Sequence, residues 1–388
     1  MKKIILKKNE EFRILKGHCW VFSNEIFKIE GEPNTGDVVE IYNSKNNFLG
    51  SGFYNPHSLI SVRLFSKKLK DFDKDLILEK IKNAFELRKL LFPKSNIYRL
   101  IYGESDFLPG LIIDRFNNHF SIQTFSAGVD QKINLIVEVL KELFSPISII
   151  ERNESQLRQL EGLEERTRFL FGDSSITEIE LEGIKYEIDL INGQKTGFFL
   201  DQRLNRNSII PFCNNSEVLD CFCNDGGFAL TASKNRASKV TAVDISQNNI
   251  ERVNKNIILN NLQNIETIVA DCFDILKKYI AENKKFDIVI LDPPSFTKSK
   301  KNIKTALKGY FEINSTALKI LKPNGILVSA CCSHHIDKKM FLEAINDSAI
   351  KTNVTLQQLF FSGPSSDHPE LIAMPETNYL KFAIFRVL

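Results

Sequence analysis

From Gly193 onward the chain alternates short apolar runs with stretches long enough for a helix, and no other feature limits its fold so tightly. The runs are Glu217-Val218-Leu219-Asp220-Cys221-Phe222, Lys239-Val240-Thr241-Ala242-Val243-Asp244, Ile265-Glu266-Thr267-Ile268-Val269-Ala270, Phe286-Asp287-Ile288-Val289-Ile290-Leu291 and Ile326-Leu327-Val328-Ser329-Ala330. Between them lie crossover segments such as Ser246 to Asn261. Strand–helix units of about 25–30 residues predict a parallel sheet covered on both faces. Ligands of such a sheet bind at the carboxyl ends of its strands. The residues that close the strands are therefore the first candidates for function.

Those residues are acidic. The first strand leads into Asp220-Cys221-Phe222-Cys223-Asn224-Asp225-Gly226-Gly227-Phe228. The glycine pair lets backbone approach a ligand and opens a helix whose amide dipole faces it. The pattern is not G-x-G-x-x-G, so the dinucleotide reading is weak, and the pair alone is more often a plain turn. The second strand closes on Asp244, where a carboxylate can accept both hydrogen bonds of a ribose diol. The third leads to Asp271, placed to meet an adenine amino group, and the fourth to Asp292-Pro293-Pro294-Ser295-Phe296. Any one of these aspartates could be a helix N-cap, Asp244 before Ile245-Ser246 especially. Four carboxylates in register argue instead for a nucleoside cofactor held by Asp220, Phe222, Gly226, Gly227, Phe228, Asp244, Asp271 and Asp292.

The first half has a different texture. Residues 1–69 read as short strands with turns at Asn34-Thr35-Gly36-Asp37 and Asn55-Pro56-His57, the spacing of a small barrel. Residues 70–184 read as an α+β domain. In it a helical rhythm through Leu76, Ile77, Ile81, Ala84, Phe85 and Leu91 stops before Pro93, and strands follow at 99–102, 111–114 and 120–123. Residues 185–388 form the third domain. No apolar run reaches the roughly 18–20 residues of a membrane span, and the N-terminus lacks a signal-peptide pattern. Seven cysteines, an odd number, suit a reducing compartment, so the cytoplasm is expected. Cys213, Cys221, Cys223 and Cys272 have no zinc-site spacing, and Cys221 and Cys223 read as strand packing. No metal is expected. A net charge of +3, from 51 basic and 48 acidic residues, permits nucleic-acid binding through a local patch without requiring it.

The strand-end pattern resembles that of class I S-adenosylmethionine-dependent methyltransferases. More narrowly, the chain is similar to the bacterial and archaeal ribosomal RNA cytosine-C5 methyltransferases that carry an N-terminal PUA domain. Gly17-His18-Cys19-Trp20-Val21-Phe22-Ser23-Asn24-Glu25-Ile26 resembles their PUA opening, with Cys19 where proline is usual. The stretch from Gly103-Glu104-Ser105-Asp106 to Ile113-Asp114-Arg115 resembles the signature of their middle domain. The segment 193–206, Gly-Gln-Lys-Thr-Gly-Phe-Phe-Leu-Asp-Gln-Arg-Leu-Asn-Arg, is similar to the one preceding their Rossmann sheet. By resemblance it closes over S-adenosyl-L-methionine, with Phe199, Asp201 and Arg203 as contacts. Asn224-Asp225 departs from the tyrosine and small residue usual there.

The resemblance also implies the chemistry. Carbon 5 of a pyrimidine is too weak a nucleophile to take a methyl group unaided. A thiolate adding to carbon 6 makes carbon 5 nucleophilic. Cysteines closing a strand are more often packing than chemistry, but Cys332-Ser333-His334-His335 matches the family's Cys-Ser-x-His-like segment, which makes Cys332 the nucleophile. Cys331 should face away by strand alternation. Asp292 is the expected contact to the cytosine ring nitrogen and exocyclic amine. Ser295 stands where two-cysteine RNA methyltransferases carry a second cysteine, implying a one-cysteine mechanism. His334 or His335 either tunes the thiol or caps the loop, and Phe296 either stacks on a flipped base or packs.

RNA, specifically large-subunit (23S) ribosomal RNA, is the implied partner. Trp20, Phe22 and Arg63 are candidates to touch it unless they serve the core, as are Lys298, Lys300, Lys301, Lys304 and Lys308 unless they are only a solvated face. A homodimer is left open. The rival readings are a guanine-N or uracil-C5 RNA methyltransferase and a noncatalytic RNA-binding assembly factor.

Overall fold

A computed structural model describes residues 2–297 and 299–388. The chain forms two compact units. The first holds residues up to Ile179 with Ile188–Leu200 and Ser366–Thr377, and the second holds Glu180–Glu187, Asp201–Ser365 and Asn378–Leu388.

The first unit contains two sheets. Strands β1 (Lys3–Leu6), β2 (Trp20–Phe22), β3 (Ile26–Glu30), β4 (Val38–Tyr42), β5 (Phe48–Tyr54) and β6 (Ile60–Ser66) form one, in the order β2-β6-β5-β4-β1-β3. Its core is Ile4, Leu6, Ile14, Val21, Val39, Ile41, Leu49, Tyr54, Val62 and Leu64. The second sheet follows the helix Lys74–Leu91, whose first turn is capped by the Asp73 carboxylate accepting from Leu76 N at 2.9 Å. Strands β7 (Ile97–Tyr102), β8 (Leu111–Phe116), β9 (His119–Thr124), β10 (Ser148–Asn153) and β11 (Arg166–Phe171) form it, in the order β11-β10-β9-β8-β7. The helical rhythm of 76–91 and its stop before Pro93 agree with the observed element. A hairpin, β12 (Ile176–Leu181) with β13 (Ile184–Asp189), follows in the chain.

The second unit is built on a seven-stranded sheet. Its strands are β14 (Glu217–Cys221), β15 (Lys239–Asp244), β16 (Ile265–Val269), β17 (Phe286–Leu291), β18 (Leu321–Cys331), β19 (Leu356–Ser362) and β20 (Lys381–Val387), ordered β16-β15-β14-β17-β18-β20-β19. From β16 through β18 all neighbours are parallel. Alternate residues of these strands enter two different cores, one with Leu219, Val243, Val289, Leu291 and Leu327, the other with Val218, Val240, Ala242, Ile288, Ile290 and Val328. Burial on both faces is why the strands read as continuous apolar runs.

The strands read from the sequence are parallel, and two further strands complete the sheet. β20 lies antiparallel between β18 and β19. The chain goes out along the edge strand β19 and comes back through β20, between β19 and β18. Phe382, Ala383 and Ile384 of β20 are fully buried, whereas β19 is mostly exposed and carries Gln357 and Gln358. Among the described residues no helix is long and apolar enough to cross a membrane.

One buried cation ties the first unit together. Arg88, in the last turn of its helix and 0% exposed, donates from Nη1 and Nη2 to Asp106 at 2.6 and 2.7 Å, from Nε to Arg99 O at 2.8 Å, and from Nη2 to Asp367 O at 2.9 Å. The Arg88→Met variant leaves Asp106 a buried carboxylate without its counter-charge. The expected loss of unfolding free energy is about 3–5 kcal/mol, read from the urea midpoint. A loss below about 1 kcal/mol would show that the pair is not the anchor described.

Candidate active site

The site lies where the sheet's chain path divides. From β14 the chain moves one way to β15 and β16, then returns to the other flank for β17 and β18. At such a switch point the loops leave in opposite directions and open a crevice at the carboxyl ends. Asp220 stands on the rim at β14, Asp244 closes β15, Asp271 follows β16, Asp292 follows β17 and Cys332 follows β18.

The loop after β14 owes its shape to its backbone. Phe222 and Asn224 hold left-handed φ angles of 63° and 47°, and Gly226 one of 81°. Cys223 N donates to Val243 O at 3.0 Å, and Gly226 N donates to Cys223 O at 2.7 Å. The helix Gly227–Lys234 starts directly after. A Cβ on Gly227 would lie 2.3 Å from Arg206 Nε, so glycine there admits the Arg206 guanidinium against the loop. The left-handed turn at Phe222 also explains the cysteines. Cys221 packs into one core, and Cys223, beyond the strand's end, packs into the other. The Phe228 ring stacks on Phe382 with centroids 5.9 Å apart and is buried, so only its backbone faces the loop side.

The carboxylates differ in how they are satisfied. Asp220 is fully buried; Oδ2 accepts from Ala229 N at 2.9 Å, while Oδ1 has no partner. Burial, then the charges of Asp292 and Asp244, push its pKa up to about 8, against the opposing pull of the Ala229 N–H and Arg206. Asp244 accepts from Asn224 N at 3.0 Å, Ser246 N at 2.9 Å and Asn249 Nδ2 at 3.0 Å, three of the roughly four sites a carboxylate offers. Asp225 pairs with Arg252 Nε at 2.6 Å, yet burial outweighs that pair and raises its pKa. Asp271 caps the helix Cys272–Ala281 through Oδ1, which accepts from Phe273 N at 2.8 Å and Asp274 N at 3.3 Å.

The segment before the sheet is divided between the units. Phe199 belongs to the first, where the Lys195 ammonium lies 4.5 Å from its ring centre. Asp201 and Arg203 belong to the second. There Tyr379 Oη donates to Asp201 Oδ2, and Arg203 pairs with Glu182 at 2.7 Å. Gln202, which the sequence did not single out, donates from Nε2 to Asp292 Oδ2 at 3.0 Å. Position 202 lies in a segment recognisable as a whole, but no one-dimensional pattern shows which of its side chains reaches a residue 90 positions on.

The thiol and the Asp292 loop meet because β17 and β18 are parallel neighbours, with Leu291 opposite Ser329. Cys331 is fully buried in the core, as alternation requires, while Cys332 is half-buried with its thiol 3.8 Å from Pro293 O. Ser333 anchors the turn. Its hydroxyl lies 2.9 Å from Ser295 Oγ and 3.3 Å from Tyr310 Oη, and its carbonyl accepts from Lys381 Nζ at 2.7 Å. Burial lowers the Lys381 pKa and raises that of Tyr310. His334 stacks on Tyr379, and Phe296 packs on Tyr310 with centroids 4.7 Å apart.

The aromatic and basic candidates of the first unit turn inward. Trp20 Nε1 donates to Glu104 at 2.7 Å, Arg63 pairs with Glu104 and Glu161, and Phe22 lies beneath Arg13. Lys300, Lys301, Lys304 and Lys308 are exposed, and Lys298 lies outside the described residues.

A parallel sheet that switches direction beside a glycine turn, with acidic residues closing its strands, defines a class I methyltransferase domain. Comparison with known proteins agrees. Residues 164–383 match the S-adenosylmethionine-dependent methyltransferase family, and residues 4–67 match a PUA-like domain. The chain is 39% identical to ribosomal RNA large subunit methyltransferase I of Photobacterium profundum, covering 97% of both chains. It is 37% identical to the protein of that name from Aliivibrio fischeri, covering 99% of both. In fold it is similar to a SAM-dependent methyltransferase from Streptococcus mutans, with a TM-score of 0.85, 23% identity and full coverage of both chains. The chain belongs to the ribosomal RNA large subunit methyltransferase I family, PUA-domain-bearing class I enzymes that use S-adenosyl-L-methionine.

The residues present fit that cofactor. Asp220 offers a buried oxygen with no partner among the described residues, under the charges of Asp292 and Asp244, and a sulfonium with its ammonium brings positive charge. A cation bound there favours ionised Asp220. Below about pH 8 binding must then expel a proton, so cofactor affinity should rise with pH, by up to about tenfold per unit. Calorimetry from pH 6 to 8 checks this, and a flat profile would show that Asp220 is not coupled to the cofactor.

Proposed function

We propose that the protein transfers a methyl group from S-adenosyl-L-methionine to carbon 5 of a cytosine in large-subunit (23S) ribosomal RNA, through a covalent adduct with Cys332. The observation that carries this reading is the half-exposed Cys332 thiol lying 3.8 Å from the carbonyl that directly follows Asp292. The names borne by the relatives and the PUA-like domain support ribosomal RNA as the substrate.

Asp244 is assigned to the ribose and the second oxygen of Asp271 to the adenine amine. The backbone of Phe222, Gly226, Gly227 and Phe228 forms the wall, and Asp220 sits near the cationic end. Asp201 and Arg203 act from behind, through Tyr379 and Glu182. When bound, the cofactor supplies an electrophilic methyl group.

Asp292 accepts from the exocyclic amine of cytosine and from its ring nitrogen, which takes a proton from solvent. That drains electron density from the ring. The Cys332 thiolate forms a bond to carbon 6, and the pair from the carbon 5–carbon 6 double bond makes carbon 5 nucleophilic. After methylation, solvent takes the carbon 5 proton, the freed bonding pair restores the carbon 5–carbon 6 double bond and expels the thiolate, and the ring nitrogen returns its proton to solvent. A uracil-C5 enzyme would share the thiol step; a carboxylate facing carbon 4 favours the amine of cytosine over the carbonyl of uracil.

Unmodified ribosomal RNA with radiolabelled cofactor, digested to nucleosides, should yield labelled 5-methylcytidine. The Cys332→Ala variant should lose on the order of a thousandfold or more in rate. Label in a guanosine, or a rate indifferent to Cys332, would overturn the cytosine mechanism. Cofactor binding without transfer to any RNA would point to an assembly factor.

A further inference from the structure

Behind Asp292 runs a line of buried polar side chains. Ser362 Oγ, at the end of β19, donates to Asn205 Oδ1 at 2.6 Å. Asn205 Nδ2 donates to Gly363 O at 3.1 Å and to Gln202 Oε1 at 2.7 Å. Gln202 Nε2 donates to Asp292 Oδ2 at 3.0 Å. Gln202 is 4% exposed and Asn205 2%, so water does not substitute for these partners.

The polarity of the line is fixed at one end. A backbone carbonyl can only accept, so the Asn205 atom facing Gly363 must be its amino nitrogen. The Asn205 oxygen is then left for the Ser362 hydroxyl. The same amino group meets Gln202, whose oxygen must face it, and this turns the Gln202 amino group toward Asp292. Flipping either amide would set two acceptors or two donors against each other.

We infer that Gln202 is a positioning residue that holds Asp292 as an ionised, oriented acceptor and so makes the site choose an amine over a carbonyl at carbon 4 of the pyrimidine. This rests on the cytosine reading given above. A hydrogen bond donated to a carboxylate favours its charged form. An ionised Asp292 matches the two adjacent donors of ring-protonated cytosine, whereas uracil sets its carbon 4 oxygen against a carboxylate oxygen. Charged and titratable groups at this corner include Asp220 on β14, which interacts with Asp292, Asp244 after β15, Arg206 in the short helix Arg203–Ser208, Cys332 after β18 and Lys381 on β20.

The test is a carbon-13 titration of the aspartate carboxyls in wild type and Gln202→Met, with the Asp292 signal assigned from Asp292→Asn. Removing the donor should raise the Asp292 midpoint by about one unit. The acid limb of kcat/KM should move up equally, and preference for cytosine over uracil RNA should fall at least about tenfold. Ser362→Ala, which only unlocks the far end, should shift the midpoint in the same direction by less, and serves if Gln202→Met fails to fold. An unchanged Asp292 midpoint overturns the inference. If wild type makes no Cys332-dependent 5-methylcytidine, the cytosine reading fails and base selection falls with it. The titration still decides whether Gln202 governs the Asp292 charge.

Discussion

The parallel pairing of β14 with β15 on one side and β17 on the other is the constraint on which the rest of the second unit depends. In a parallel ladder every strand ends at the same rim, so residues far apart in sequence meet there. Asp220, Asp244, Asp292 and Cys332 share a rim for this reason and not through any local sequence relation. The ladder is itself maintained by burial on both faces, with alternate residues feeding two separate cores. The antiparallel β20 extends that double burial beyond β18, leaving the more polar β19 to meet solvent at the edge.

Gathering acidic groups at one rim has an electrostatic cost. Asp220 is fully buried with one oxygen unpartnered, and burial with two like charges nearby holds its pKa at about 8. Without a ligand the site therefore favours a protonated carboxyl there at neutral pH, which limits the repulsion. A positively charged cofactor reverses that preference. The glycine turn serves the same end, because Gly227 leaves room for the Arg206 guanidinium, a cation that acts on both Asp220 and Asp225. The domain thus carries an acidic excess at this rim and offsets part of it with Arg206 and Arg252.

What the sequence made legible follows from periodicity. Strands β14 to β18, the helix before Pro93 and the acidic strand ends all leave local signatures, because each answers to neighbours only a few residues away. The short strands β1 to β3 and the returning pair β19 and β20 did not stand out, since their pairing is set by distant partners. The site divides in the same way. The adjacency of Asp292 and Cys332 could be anticipated from consecutive strand ends. The hydrogen bond from Gln202 could not, because its partner is 90 residues away. Trp20 and Arg63 show the converse: their residue types left RNA contact and core packing both open, and Glu104 and Glu161, far along the chain, accept from the Trp20 indole N–H and the Arg63 Nη1 and Nη2.

The placement of the proposed nucleophile illustrates how little a cysteine contributes to its own position. A thiol is a weak donor, and the contact from Cys332 to Pro293 O, at 3.8 Å, cannot hold a turn by itself. The next residue supplies the rigidity. Ser333 is fastened from three elements: Ser295 in the Asp292 loop, Tyr310 in the helix Ile303–Ile320, and Lys381 in β20. On its other side Cys331 is sunk in the core of the sheet. Held between two immobile neighbours, Cys332 keeps its backbone while its side chain stays half-exposed. A slip of one residue at the end of β18 would exchange the two cysteines, so the Ser333 anchor and the Cys331 packing together fix which thiol stays accessible.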